Sequence, residues 1–263
     1  MKIHANGIDV HYLLEGPDSA PVILFSHSLA THLDTWAIQA KAFANDYRVL
    51  RYDTRGHGNT DIPPGPYTFS LLAEDAVRLL DALGIDKAHW VGISLGGMIG
   101  QAFALAYPDR LLSLSLCNTA SDLPPDAHSV WNERIATATT QGMEPLVEPT
   151  IERWFSPGFI EREPQTVEAI REMIRATPIV GYVGCSQAIM QLNFTEQLAE
   201  IRVPTAIIVG EDDPGTPVSA SQLMHEKISG SELLILPEAF HLSNIEKADE
   251  FNRALRGFLG KIS

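Results

Sequence analysis

The sequence predicts an α/β fold, with a mostly parallel eight-stranded sheet flanked by helices and a block of helices inserted late in the chain. Three observations predict it. Short runs rich in Val, Ile and Leu recur along the chain, helical patterns separate them, and strand signals stop from about residue 121 to 195.

Residues 1–5 and 8–14 flank Asn6-Gly7, a dipeptide that supplies the positive φ angles of a tight hairpin, so the chain opens antiparallel. Six further strand runs follow: PVILFS from Pro21, YRVLRYD from Tyr47, KAHWVGIS from Lys87, RLLSLSLCN from Arg110, PTAIIVG from Pro204 and ELLILP from Glu232. These short β-branched or leucine-rich runs, closed by Gly, Pro, Asp or Asn, are expected of strands covered on both faces of a parallel sheet. Helices belong between them, near 35–44, from Leu95 to Tyr107, after Pro217 and in NIEKADEFNRALRGFL. In SLLAEDAVRLLDALG, Leu72, Ala76, Leu79, Leu80 and Leu83 share one face, with Ser70 as the expected N-cap and Gly84 as the stop. The interval 121–195 carries four helical patterns punctuated by Pro145, Pro157, Pro164 and Pro178. A structureless loop of that length is improbable. The expected division is therefore a core of residues 1–120 and 196–263 with a helical cap of residues 121–195 that roofs a dry pocket.

Composition bounds the function. The 263 residues are 45% hydrophobic and 20% charged, with a formal net charge of −14. Such acidity argues against nucleic acid or an anionic membrane surface as a partner, because each is held through basic patches. The first residues lack the apolar stretch of a secretory signal, and cytoplasmic residence as a monomer or homodimer is the expectation. Cys117 and Cys185 are the only cysteines, without metal-binding spacing, and are expected to be buried thiols.

The glycine-crowded stretch HWVGISLGGMIGQAFALAYP carries the chemistry. Gly92-Ile93-Ser94-Leu95-Gly96 fits G-x-S-x-G between a strand and a helix, the setting in which a sharp turn presents one hydroxyl above the sheet. Ser94 is the candidate nucleophile, and the amide of Leu95 opens the following helix, where negative charge is favoured. A neutral alcohol needs a base, and the base needs an orienting acid. Those partners are expected at the ends of later strands. Asp213 in GEDDP, with Asp212 as the second choice, is the candidate acid, and His241 is the candidate base. A second oxyanion donor is expected from FSHSLATHLDTW, at the Leu29 amide. His27 in that loop reads as a hydrogen-bonding anchor, and Asp53, Arg55 and His57 of RYDTRGHGNT as turn and salt-bridge residues. Trp131, Arg134 and Trp154 of the cap are candidates for the substrate pocket, with Arg134 facing a substrate carboxylate. This chemistry calls for no metal and no organic cofactor.

The chain resembles the α/β-hydrolases over its whole length. More narrowly it is similar to the bacterial 3-oxoadipate enol-lactonases, on VLRYDTRGHGNT, GPYT, GISLGGMIG, LCNTA, RWFSPGFIEREP, GEDDPGTP and FHLSNIEKADEF. HLSNIE and the cap segment are the more specific of these. The resemblance implies Ser94, Asp213 and His241 as nucleophile, acid and base, and hydrolysis of a small carboxylate-bearing lactone. One loop departs from it: the lactonases tend to carry S-N-S-L-G where this chain has Ser26-His27-Ser28-Leu29-Ala30. A broad carboxylic or aryl esterase is the alternative, and a ligand-binding receptor on a hydrolase scaffold a distant third.

Overall fold

Strand β1 (Lys2–Ala5) pairs with β2 (Ile8–Glu15) across a two-residue loop in which Asn6 and Gly7 have φ of 49° and 76°, in the computed structural model, which describes residues 1–262. Both loop residues thus take the left-handed conformation that matches strand twist in a tight hairpin. β2 then pairs antiparallel with β4 (Arg48–Tyr52). The rest of the sheet is parallel: β3 (Val22–Ser26), β4, β5 (Ala88–Ile93), β6 (Leu111–Cys117), β7 (Thr205–Gly210) and β8 (Glu232–Leu236), in the order β1-β2-β4-β3-β5-β6-β7-β8. Every residue of β3, β5 and β7 is buried, the physical reason their sequences lack polar alternation.

The order places the site. After β3 the chain crosses to β4 on one side, and β5 returns to the other side of β3, where Ser26 lies in register with Gly92. Two neighbouring strands therefore send their loops in opposite directions from one crevice, the position where doubly wound sheets bind ligands.

Helix α1 (Ala37–Phe43) follows β3, and α2 (Phe69–Ala82) follows β4. The cap of α2 is Thr68, not Ser70: extended Thr68 accepts from the Leu71 amide at 3.1 Å, which leaves Ser70 inside the first turn. Gly84, at φ 67°, lies just beyond its C-terminal end. Helix α3 (Leu95–Ala106) follows β5.

Between β6 and β7 lie α4 (Ala127–Gln141), α5 (Glu144–Trp154), α6 (Pro157–Arg162), α7 (Pro164–Ala176) and α8 (Ile179–Ile189). The prolines that punctuate this stretch begin helices. Pro145, Pro157 and Pro164 occupy first turns and Pro178 precedes α8, positions where a missing N–H costs nothing. The ends of the insertion are zipped together by the Asp122–Asn193 bridge and by Phe194 N–H donating to Ser121 O at 2.6 Å. The chain thus leaves and rejoins the sheet at one point.

Helix α9 (Val218–Lys227) follows β7. The terminal helical pattern is two helices, α10 (Ser243–Glu246) and α11 (Ala248–Leu259), because Lys247 leaves helical geometry at φ −124°. Cys117 and Cys185 are buried free thiols. No helix among the described residues is long and apolar enough to cross a membrane.

Candidate active site

Ser94 joins β5 to α3 at φ 54°, ψ −116°, a conformation that costs a non-glycine residue about 1–3 kcal/mol. Its surroundings hold it there. Its N–H donates to Cys117 O at 2.9 Å, and its carbonyl accepts from the amides of Gly97 and Met98 and from Thr119 Oγ1 at 2.8 Å. Gly92 and Gly96 make the turn possible. A Cβ on Gly92 would overlap the backbone of Gly96, and one on Gly96 would overlap the carbonyl of Ser26 on β3. The strand, the turn and the neighbouring strand are in backbone contact, and only glycine leaves that room.

The loop after β3 runs beside this turn. His27 donates from Nδ1 to Ser28 O at 2.8 Å and accepts from Thr54 N–H at its Nε2, at 2.9 Å. His57 accepts from Ala30 N–H at its Nε2, at 3.2 Å, with Nδ1 directed at Arg55 O. Each ring is neutral with one nitrogen accepting, and together they hook the loop to the chain after β4. Ala30 is at φ 61°. Between these hooks the Leu29 amide has no hydrogen-bond partner among the described residues, and the Leu95 amide, first in α3, has none either.

Burial pushes both imidazoles down against the attraction of Asp53, His27 to about 4 and His57 to about 3, with His57 lowered further by His27 and His32. The unfolded chain binds these protons near pH 6.5, so it takes up more protons than the folded protein as pH falls. Stability is therefore lost from about pH 6.5 downward to the folded values, by roughly 3 kcal/mol for His27 and roughly 5 kcal/mol for His57. Urea midpoints should fall steeply between pH 7 and 4.5, and His57→Gln should flatten that slope. A midpoint constant over this range would contradict it.

Asp53 braces the same loop, and Arg55 ties the chain after β4 to α2. Asp53 accepts from the amides of Leu33 and Asn59, each at 2.8 Å, and Arg55 makes a buried two-pronged pair with Asp75 at 2.7 and 2.6 Å.

Asp213 and His241 stand beyond β7 and β8, with His241 Nδ1 to Asp213 Oδ2 at 2.8 Å. Two residues that lie within LCNTA and GEDDPGTP, segments that by themselves give them no role, complete the carboxylate's surroundings. Asn118, after β6, donates to Oδ2 at 2.8 Å, and Thr216 Oγ1 donates at 2.7 Å; the amides of Gly215 and Thr216 donate to Oδ1. Burial pushes this carboxyl up, but the attraction of His241 and the hydrogen bonds outweigh it and hold it at about 2. Asn118 accepts in turn from Ser243 Oγ, two residues beyond His241. Asp212 is exposed and makes no such contacts.

Ser94, Leu29 and His241 face one cavity of about 590 Å³, whose other wall comes from α4 and α5 through Trp131, Arg134, Arg153 and Trp154. Leu95 is behind the wall, where its amide is the group that matters. The Trp154 ring stacks on His241 with centroids 6.1 Å apart, and Arg134 lies over Trp131 at 4.9 Å. Arg153, which sequence reasoning missed, has one weak contact, to Thr150 at 3.3 Å. Neither arginine has an acidic partner within ion-pair distance among the described residues. Desolvation lowers Arg134, and desolvation with repulsion from Arg134 lowers Arg153 to about 10. Two cations held together in a partly dry cavity attract an anion.

A family model described as the alpha/beta hydrolase fold matches residues 21–248. The chain is 36% identical to 3-oxoadipate enol-lactonase 2 of Acinetobacter baylyi, covering 98% of this chain and 96% of that protein. It superimposes on the crystal structure of the enol-lactonase from Burkholderia xenovorans LB400 with a TM-score of 0.95 and 37% identity, over 99% and 100% of the two chains. A hydrolase from Pseudomonas aeruginosa PA01 is similar at TM-score 0.94 and 40% identity, over 99% and 98%. With its sheet order, its strained serine turn and matches that span nearly all of its length, the chain belongs to the α/β-hydrolase family.

Proposed function

We propose that the protein is a serine hydrolase that opens 3-oxoadipate enol-lactone, a step in the breakdown of aromatic acids. The observation that carries the reading is one cavity holding a strained serine, a carboxylate-paired histidine and two arginines without acidic partners. The similarity to enol-lactonases over the full chain supports the choice of substrate.

Ser94 Oγ attacks the ring carbonyl while His241 takes its proton. Asp213, donor-saturated and ionised at any pH above about 2, keeps the Nδ1 proton of His241 in place and stabilises the imidazolium. The amides of Leu29 and Leu95 receive the negative oxygen of the tetrahedral intermediate, and each such donor is worth roughly 3 kcal/mol. Collapse breaks the bond to the ring oxygen, which leaves as an enol and takes the proton from His241. Water, deprotonated by His241, then attacks the acyl-enzyme, and the proton returns to Ser94 as the acid is released. Arg134 and Arg153 hold the carboxylate of the substrate and fix the ring over Ser94. The helices of residues 121–195 act as the cap that excludes water from the acyl-enzyme.

Steady-state kinetics with 3-oxoadipate enol-lactone and p-nitrophenyl acetate test the assignment. Arg134→Gln and Arg153→Gln are each expected to raise KM for the lactone about 10–100-fold, the value of a charged hydrogen bond, and to leave the acetate unchanged. Turnover confined to the simple ester would overturn the lactonase reading in favour of a general esterase.

A further inference from the structure

The two sequence segments that single out this chain most specifically, RWFSPGFIEREP and HLSNIE, meet at one buried carboxylate. Glu246 is the last residue of α10, immediately before the break at Lys247. Its Oε1 accepts from Ser156 N–H at 3.0 Å and from Ser156 Oγ, and its Oε2 accepts from Phe240 N–H at 2.8 Å. One side chain thus binds the turn between α5 and α6 to the residue before His241. A backbone bond runs alongside it, Leu242 N–H to Trp154 O at 3.2 Å, from the residue after His241. Trp154, two residues before Ser156, is the ring stacked on the imidazole.

We propose that Glu246 is a positioning residue that locks the cap turn Trp154–Ser156 and the His241 loop into one rigid unit, so that placing the cap also places the base. Glu246 does not line the cavity. It acts through the two chain segments it holds. A carboxylate suits the task because both oxygens accept, and charge-assisted bonds to N–H and O–H are about twice as strong as neutral ones. Glutamine in its place turns an NH₂ toward a donor on one side or the other, and leaves a buried donor without a partner. A base displaced by 1 Å costs about a hundredfold in rate. The proposal rests on His241 being the base of the reaction.

The test uses p-nitrophenyl acetate, too small to engage the two arginines, with kcat and KM measured separately and folding followed by circular dichroism. Glu246→Gln is expected to lower kcat about 10–100-fold with little change in KM, and Ser156→Ala to lower it by less. Ser156→Thr, which keeps the hydroxyl, should restore the rate. Because both groups serve one bracket, the double variant should be no slower than Glu246→Gln alone. The downfield proton resonance of the His241–Asp213 hydrogen bond should broaden or shift in both single variants. Wild-type kcat and an unchanged resonance in Ser156→Ala would overturn the proposal even if Glu246→Gln failed to fold, as would losses that multiply in the double variant. Hydrolysis of the acetate that persists in Ser94→Ala would instead remove the functional reading beneath it.

Discussion

Replacing Ser94 with alanine is expected to lower kcat/KM for both the lactone and p-nitrophenyl acetate by about 10⁴–10⁶-fold without unfolding the protein. The hydroxyl carries the covalent step, so its loss leaves only the amides of Leu29 and Leu95 and the binding of the substrate to act on the reaction. The fold should survive because the hydrogen bonds that hold the turn are made by the Ser94 backbone and by Thr119, none by the Ser94 side chain. Alanine meets the same backbone strain as serine at φ 54°, so the cost in stability is small. His241→Gln should be nearly as slow, and combining the two changes should add little further loss, because the groups work as a unit. Rapid-quench and steady-state assays on both variants decide the matter. A Ser94→Ala protein within tenfold of the natural rate would mean that the cavity works without an acyl-enzyme.

What the sequence reveals here is local, and what it hides is long-range. Ser94 is legible because the turn imposes glycines two residues to either side, a constraint written into five consecutive positions. Asp213 and His241 are legible once the strands that carry them are read, since each stands just beyond a strand end. Asn118 carries no such signature. It sits in LCNTA, a segment that carries the family resemblance without giving this residue a role, and its meaning arises only when Asp213, 95 residues later, folds against it. Its φ of 41° is a mark of the site that a single sequence does not display. Arg153 is similar. It opens the cap segment RWFSPGFIEREP, which by itself gives it no role, and only the packing of α4 on α5 brings it beside Arg134 without a carboxylate to balance it. The helix start at Thr68 fails for another reason, because Thr68 and Ser70 both offer capping oxygens and the choice is made by where the chain turns from extended to helical.

Gly96→Ala is expected to be among the most damaging single substitutions in the protein. The added Cβ would lie against the carbonyl carbon and oxygen of Ser26, which are backbone atoms inside a parallel ladder and have no rotamer to escape into. Relief requires β3 and β5 to separate where both are fully buried, or α3 to lift off the sheet. Either change strips packing from the centre of the core and misplaces the amides of Leu29 and Leu95 together. A cost above about 4 kcal/mol is expected, a large share of the 5–15 kcal/mol that folded domains possess. The matched control is Gly257→Ala in α11. No atom stands within 4 Å of its Cβ position, its φ is ordinary for a helix, and alanine there should add about 0.5–1 kcal/mol and raise the melting temperature by roughly 1–4 °C. Soluble yield and thermal unfolding of the two variants measure opposite signs from the same chemical change. If Gly96→Ala melted within a few degrees of the natural protein and kept its activity, the contact between turn and neighbouring strand would not be what demands glycine at this position.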